Sequence, residues 1–408
     1  MPDFGATDLD AFRADARDWL AANFPPSLKG HGAVAASEAG GTPARAGADV
    51  ANWTRAMGEK GWGVPTWPKA YGGGGLSPEQ AKALRNEMSA IGAWNPIGGM
   101  GTIMFGPTLL EYGSEEQKHR HIPPIARNEI RWCQGFSEPG AGSDLASLAT
   151  KCEDSGAHWL VNGQKIWTSG AQWADWCFCL VRTDTSRKHD GISFLLIDMR
   201  SPGVEVRPIK LISGASPFCE TFFTDVKVPK DNLVGPLNGG WTIAKRLLQH
   251  ERGAISGGGG GRGGRFGGPL NRLAKDYVGV DRQGRIEDPE LRARIADHEM
   301  SARAFALTAA RTAVEGRSNQ GPSTATSIMK NAGTKIAQDR HELTLQILGA
   351  QGLGWEGGDF SDDEREAVRA WLFGKAFTIY GGSAEVQSNI ISKRILALPD
   401  PLTPDTRA

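Results

Sequence analysis

Residues 132–148 read WCQGFSEPGAGSDLASL, a run with glycines close together, a proline and small hydroxyl residues between an aromatic-rich start and a polar end. Glycine lets backbone approach a ligand closely, and the hydroxyls of Ser137 and Ser143 can donate hydrogen bonds. Pro-Gly and Gly-Ser pairs are equally what ordinary turns are made of, so the run by itself does not separate a ligand cradle from a loop. Its neighbours bear on the question, because the hydrophobic period changes across it from that of helices to that of strands.

Upstream, Leu9, Phe12, Ala16, Trp19, Leu20 and Phe24 recur at helical spacing, with Thr7 and Asp8 as capping residues and Pro25-Pro26 as the stop. Residues 27–48 turn to Gly, Ala, Ser and Pro and read as a loop or linker. Asp49 caps a helix with Val50, Trp53 and Met57 that ends at Gly61. Ser77-Pro78 starts another with Leu84, Met88 and Ile91 on one face, and Ser114-Glu115-Glu116 opens a short one. Downstream, HWLVNGQKIWTSG (158–170) places Asn162-Gly163 between two β-prone runs, the strongest short-range signal for a tight hairpin. WCFCLVRT, ISFLLIDM, VEVRPIK and TFFTDVKVP follow with no room for helical crossovers, so the sheet is expected to be largely antiparallel. That argues against a dinucleotide-binding Rossmann unit. The helical period returns from Trp241 to Leu398.

A chain of 408 residues, 39% hydrophobic and 23% charged, can bury a large core and should divide into two or three domains. Its 46 basic and 46 acidic residues cancel, so no global charge points to nucleic acid or an anionic membrane. No run is long and apolar enough to span a bilayer, and the start, MPDFGATDLDAF, lacks the features of a secretory signal. Cys133, Cys152, Cys177, Cys179 and Cys219 form no CxxC pair and suit free thiols in a reducing cytoplasm. Cys177 and Cys179 would share one strand face as buried thiols. The eight histidines show no HExxH or other ligand spacing, so no metal site is expected.

SEPGAGSDLASL, NGQKIWTSGA, VPKDNLVG, QILGAQGLG and IYGGSAEVQSNIISKRIL follow one another in this chain. In that order and spacing, over about Leu9 to Pro399, the chain resembles the acyl-CoA dehydrogenase flavoprotein family. The resemblance implies an α+β fold with an N-terminal helical domain (1–130), a central antiparallel β-domain (131–235) and a C-terminal four-helix-bundle domain (236–408). It implies FAD as cofactor and α,β-dehydrogenation of an acyl-CoA thioester to the trans-2-enoyl-CoA, with electrons passed to an electron-transferring flavoprotein. By the same resemblance Gln134, Phe136, Ser137, Gly142 and Ser143 surround the isoalloxazine, Ser143 also lying near the substrate, and Trp167, Thr168 and Ser169 form a second flavin-contacting element. Gln346, Gly349 and Ala350 reach the FAD of a neighbouring subunit, so at least a dimer is implied: a homodimer, a homotetramer or an α2β2 heterotetramer. Ser383 and Glu385 face FAD, Gly381 and Gly382 present backbone to the acyl-CoA, and Arg252 lies near the CoA portion.

The implied chemistry needs a carboxylate able to take an α-proton from carbon and donors on the thioester oxygen. Many relatives place the base as the Glu of an IYEG sequence, where this chain has Gly381, which cannot take a proton. A second branch, isovaleryl-type and long-chain-type enzymes among them, places it in the preceding helical domain, and the matching residue here is Glu251 of Gln249-His250-Glu251-Arg252. The Gly381 N–H would remain as an oxyanion donor. Read without the family, Glu251 is a solvated helix residue paired with a nearby cation, and the bland alternative for Trp167 is a core residue in a hairpin.

Two departures stand out. The RxxFG sequence that holds the neighbour's FAD pyrophosphate in many relatives is missing at Asp276 to Gly279, and RGGRFGGPL from Arg262 comes too early to replace it. Gly257 to Gly268, GGGGGRGGRFGG, weakens a helix where relatives continue one, each interior glycine costing roughly 1 kcal/mol against Ala. An RGG-like RNA-binding segment is the alternative reading of that run. Within the family, WPKAYGG, WCQGFSEPGAGSD and IYGGSAEVQ most resemble the bacterial subgroup acting on bulky, branched or dicarboxylic acyl-CoA esters, and that resemblance implies a medium to long, branched or bulky acyl group. The rival functions are an oxygen-using acyl-CoA oxidase-like enzyme and a non-catalytic subunit of a heteromer.

Overall fold

A computed structural model describes residues 6–29, 47–256, 267–315 and 326–399, and within them all side chains except those of residues 6–7, 250–256, 313–314 and 326–327. Most of the linker read at 27–48, and of the run Gly257–Gly268, lies outside the described residues. The chain divides into two compact units: Met1–Lys210 with Ser216–Ala254, and Leu211–Ala215 with Ile255–Ala408.

The first unit opens with α1 (Ala6–Asn23), α2 (Ala48–Glu59) and α3 (Pro78–Ile91). Their apolar stripes meet in one cluster, Ala16 and Leu20 against Trp53, Met57 and Leu84, all essentially sealed from solvent. α3 starts on a full capping box, Ser77 accepting from the Gln80 N–H and Gln80 bonding back to the Ser77 N–H. α1 begins at Ala6, so Thr7 and Asp8 lie inside its first turn rather than before it. α2 likewise begins ahead of Asp49, with Gly47 as N-cap; the Asp49 carboxylate accepts from the Ser27 hydroxyl and faces the positive helix end. α4 (Gly106–Tyr112) and α5 (Glu115–Ala126, capped by Ser114 and Gln117) lead into the sheet.

Eight strands follow: β1 (Trp132–Gly135), β2 (Lys151–Asp154), β3 (His158–Ser169), β4 (Trp176–Arg182), β5 (Ile192–Asp198), β6 (Val204–Ile209), β7 (Phe218–Pro229) and β8 (Leu233–Val234). They form one sheet in the order β6-β7-β3-β2-β4-β5-β8, with β1 beside β4. Most pairs are antiparallel, as expected, but β1 pairs β4 in parallel from Trp132↔Trp176 to Gly135↔Cys179, and Lys151 of β2 faces Arg182 of β4 in parallel, so the sheet is mixed. Parallel neighbours need a long return path. Here β2 and β3 themselves supply it, a route that a search for helical crossovers misses.

The expected hairpin at Asn162-Gly163 is not there. β3 runs unbroken through both residues, and Asn162 serves a bulge instead: its Nδ2 donates to Asp225 Oδ1 at 3.0 Å and its Oδ1 accepts from the Asp225 N–H at 2.8 Å. Gly163 answers to packing, since a Cβ there would lie 2.7 Å from the Thr150 backbone. A hairpin signal is local, and cross-strand contacts outweighed it.

WCFCLVR reads as a continuous apolar run because both faces of β4 are covered. Phe178 and Leu180 join Phe105, Leu109, Ile122 and Ile125 of the helical layer, whereas Cys177, Cys179 and Val181 join Val161, Phe223 and Val226. All five cysteines are free and buried, and burial pushes the Cys152 thiol up to about 12. Helix α6 (Gly240–Ser256) then packs Ile243, Ala244 and Leu247 into the first of these clusters.

The second unit contains α7 (Leu270–Tyr277), α8 (Pro289–Glu315), α9 (Thr326–Leu348), α10 (Asp362–Gly374) and α11 (Ala384–Ile390). α9 lies against the other four, and its Leu343 and Ile347 meet Leu270 and Leu273 of α7 and Leu291 and Ile295 of α8. The helical period read from Trp241 to Leu398 breaks between Gly374 and Ala384, where Gly381 and Gly382 take the left-handed backbone at φ 64° and 86°.

Candidate active site

Trp132–Leu148 leaves the sheet at Phe136, whose ring turns inward and meets Phe178 and Phe194 edge-on at 5.9 and 6.2 Å. A ring sealed in this way anchors the loop, so what Phe136 can offer a ligand is backbone. Gln134 and Ser137 are half-buried, and Gly142 and Ser143 are exposed. A Cβ built on Gly142 would meet nothing within 4 Å: no neighbour in the chain requires a glycine there, and the space is open to a bound group.

The loop is held from beneath by an ion pair that sequence reading passed over. Lys165, 0% exposed, donates to Glu138 Oε1 at 2.7 Å and to the Phe136 carbonyl at 3.2 Å. Glu138, 8% exposed, also accepts from the N–H groups of Ala149 at 2.6 Å and Thr150 at 2.9 Å, so one carboxylate ties both ends of the loop. Burial pushes the Glu138 carboxyl up, but the Lys165 ammonium and these donors outweigh it and hold the group below the ordinary range. Buried Arg182 braces the far end, donating to the carbonyls of Ala146 at 2.6 Å and Leu148 at 3.2 Å and to those of Arg187 and Lys188 at 2.9 and 2.8 Å. Glu138 and Lys165 stand inside motifs already singled out, yet 27 residues separate them and no periodicity pairs them.

The Ile166 N–H donates to the Ser137 carbonyl at 2.9 Å, which brings the second element alongside the first. The next residue, Trp167, sits in a bulge where the register with β7 slips between Lys165 and Thr168, with φ at 62° and half its surface (52%) exposed. A bulky residue in this region costs roughly 1–2 kcal/mol, and such strain persists at sites that use it. The indole, edge-on to Phe218 at 6.1 Å, is therefore not a core residue; it presents an aromatic face outward beside the glycine-rich loop. Thr168 points the other way: its buried hydroxyl donates to the Cys219 carbonyl at 2.8 Å and shares a hydrogen bond with Thr221 Oγ1 at 2.7 Å. Ser169 is half-buried and pairs with Phe218 across the strands.

Behind the start of the loop, His121 of α5 is 2% exposed, edge-on to Trp132 and Trp176 at 5.2 and 4.9 Å, and its Nε2 has no hydrogen-bond partner. Burial, with Arg120 beside it, lowers its pKa to about 4. The unfolded chain takes up this proton near pH 6.5 and the folded one only near 4, so the histidine withdraws stability as pH falls between those values. We expect roughly 2 kcal/mol less stability from this group at about pH 5 than at about pH 7. Denaturant titration at the two values should show that His121→Phe removes that part of the loss; an identical pH dependence in both proteins would refute it.

Glu251 and Arg252 fall on α6, and their side chains lie outside the described residues. The helix is well anchored before them: Ile243, Ala244 and Leu247 are buried, and Arg246 pairs with Glu111 through Nη2–Oε1 and Nε–Oε2 bonds, both of 2.8 Å. Position 251 follows Leu247 by four residues and Leu248 by three, which places it on the same helix face.

In the second unit, the carbonyls of Tyr380 and Gly382 accept from Lys330 Nζ at 2.7 and 3.1 Å, and Gln387 Nε2 lies 3.4 Å from the Gly381 carbonyl. Ser383 caps α11, its hydroxyl accepting from the Val386 N–H at 3.3 Å. Glu385 follows in the first turn, its carboxyl held below the ordinary range by its own backbone N–H and by Ser383. Gln346, Gly349 and Ala350, at the end of α9, are exposed; Gln346 accepts from the Arg294 guanidinium, and Gly349 turns the chain at φ 55°. Among the described residues no group of three or more His, Cys, Asp or Glu could hold a metal ion, and no helix is long and apolar enough to cross a membrane.

Helices, a mixed sheet carrying the loop and the exposed tryptophan, and helices again are the three parts matched by family models: the acyl-CoA dehydrogenase N-terminal domain over residues 7–129, the middle domain over 133–226 and the C-terminal domain over 238–396. The chain belongs to the acyl-CoA dehydrogenase family, and it is an acyl-CoA dehydrogenase, an oxidoreductase acting on CH–CH donors. Among its relatives is the acyl-CoA dehydrogenase IpdE1 of Mycolicibacterium smegmatis, 36% identical over 96% of this chain and 98% of that one. Among solved structures it is similar to the Tcur3481-Tcur3483 steroid ACAD (TM-score 0.75, 30% identity, 98% of this chain and 100% of that one). It is also similar to the ChsE4-ChsE5 complex of Mycobacterium tuberculosis (TM-score 0.71, 28% identity, the same coverage).

Proposed function

We propose that the protein is an FAD-dependent dehydrogenase of a branched or bulky acyl-CoA, with Glu251 as the base and the Gly381 N–H as an oxyanion donor. The observation that carries this reading is the loop at Tyr380–Gly382. It offers no carboxylate, and its left-handed backbone at Gly381 would strain any residue with a side chain, so proton removal must be served from elsewhere. Position 251, one turn of α6 beyond the buried Leu247, carries a carboxylate, the group that proton removal requires. The space left by a missing side chain at 381 suits a wide acyl group, in keeping with the similarity to the Tcur3481-Tcur3483 steroid ACAD.

Bound FAD would accept the β-hydride and pass its electrons to an electron-transferring flavoprotein. The chain's own part is to hold and orient. Ser143 Oγ and the backbone from Gln134 to Ser137 offer donors and acceptors to a polar ring edge, Trp167 offers an aromatic face, and Gly142 leaves room. Thr168 and Ser169 contribute backbone beside the indole. Gln346, Gly349 and Ala350, exposed at the end of α9, suit a second subunit's cofactor, Ser383 and Glu385 at the start of α11 suit FAD, and Arg252 suits the CoA portion. Buried free thiols fit a reducing, cytoplasmic setting.

The test is anaerobic titration of the purified protein with a panel of CoA esters. The expected result is a yellow protein whose flavin absorbance is bleached by a branched or polycyclic acyl-CoA and far less by short straight chains. A second reading, that the chain works as one half of an α2β2 heteromer, is favoured by a solved relative named as the ChsE4-ChsE5 complex. It predicts a colourless protein alone and a yellow one when co-purified with its partner chain. Rapid reoxidation of the reduced flavin by air would instead mark an oxidase.

A further inference from the structure

We propose that Lys330 is a positioning residue for the acyl-CoA reaction, acting through the peptide between Tyr380 and Gly381; this rests on the reading that the Gly381 N–H is an oxyanion donor. Lys330 lies near the start of α9, and its ammonium bonds the carbonyls of Tyr380 and Gly382 at 2.7 and 3.1 Å and sits 5.7 Å from the centre of the Tyr380 ring. Gln387 of α11 reaches the carbonyl between them at 3.4 Å. Three successive carbonyls are thereby tied to side chains of two helices.

A trans peptide is planar, with its C=O and N–H pointing in opposite directions. Drawing the Tyr380 carbonyl onto Lys330 therefore turns the Gly381 N–H to the opposite side of the loop. Two consecutive glycines have wide backbone freedom, so without such ties the loop would sample many orientations of that N–H. Donors for a developing oxyanion are effective when they are aimed beforehand, because no reorganisation is then needed in the transition state. A cation on the carbonyl also polarises the amide and strengthens its N–H as a donor.

The test uses the full-length enzyme with FAD bound. Lys330→Met keeps the stem and removes the donors: kcat should fall roughly 10- to 100-fold, while KM for the acyl-CoA moves less than about threefold and the flavin stays bound. A second readout reports on the oxyanion itself. A 3-oxoacyl-CoA loses its α-proton to give an enolate with its own absorbance, and its apparent pKa on the enzyme measures how well the charge on the thioester oxygen is held. Lys330→Met should raise that pKa by about one to two units, and Lys330→Arg, which keeps charge and donors, should restore most of it. Equal kcat and equal enolate pKa in wild type and Lys330→Met overturn the proposal. Should that variant not fold, Lys330→Gln, too short to span both carbonyls, goes through the same assays, and an unshifted pKa overturns it equally. A wild-type enzyme that lowers the enolate pKa no more than water does would remove the Gly381 donor itself, and Lys330 with it; a lowered pKa that ignores Lys330 removes Lys330 alone.

Discussion

Glu251→Gln is expected to purify with flavin bound and to lose roughly two to four orders of magnitude in the rate of flavin reduction by acyl-CoA, the usual scale for a positioned base. The amide matches the carboxylate in shape but cannot take a proton from carbon, so binding should survive and chemistry should not. Stopped-flow reduction under anaerobic conditions measures this directly, and an unchanged rate would end the assignment. Returning a carboxylate to the loop discriminates further. Gly381 sits at φ 64°, where a residue with a Cβ costs roughly 1–2 kcal/mol. Adding Gly381→Glu to the Glu251→Gln background should therefore recover at most about tenfold.

Lys165→Met is expected to destabilise the protein by about 3–5 kcal/mol, because it leaves the Glu138 carboxylate buried without its cation. Denaturant midpoints give the figure. Removing both charges in Lys165→Met/Glu138→Gln should recover most of the loss, since the penalty belongs to the orphaned charge rather than to the missing bond. The pH dependence has a definite sign. The folded-state Glu138 carboxyl lies below its unfolded value, so its contribution is present above the ordinary carboxylate range and is lost as pH falls through the lowered pKa. In Lys165→Met that order should invert, Glu138 being protonated to escape burial, so the variant's deficit should shrink in acid. The same substitution frees the Phe136 carbonyl and slackens the loop, so weaker flavin retention should accompany it. A deficit below about 1 kcal/mol with full flavin retention would show that the pair is not what holds the loop.

The helices were legible because their stripes, such as Ala16 and Leu20 on α1 or Leu84 and Met88 on α3, repeat locally, and because Ser77 and Ser114 announce their helices within four residues. The glycine-rich loop was legible as a motif. Its support was not, since Glu138, Lys165 and Arg182 meet only once β1, β3 and β4 lie side by side. Asn162-Gly163 misled for the same reason in reverse: a strong local turn signal was spent on a bulge opposite Asp225 and on clearance for Thr150. Lys330 carried no signal at all, being 50 residues from the carbonyl it bonds.

By itself the sequence determined the order of helices, strands and helices, the family, and the chemistry that a glycine at 381 rules out there, because each depends on residue type and near-neighbour spacing. Only the tertiary structure decided that β1 runs parallel to β4, that Trp167 faces outward in a strained bulge while Thr168 faces in, and that Lys330 and Lys165 hold the loops at Tyr380–Gly382 and Phe136–Glu138. Those facts arise from pairings across tens of residues, where hydrogen-bond satisfaction and burial, rather than local propensity, select the conformation.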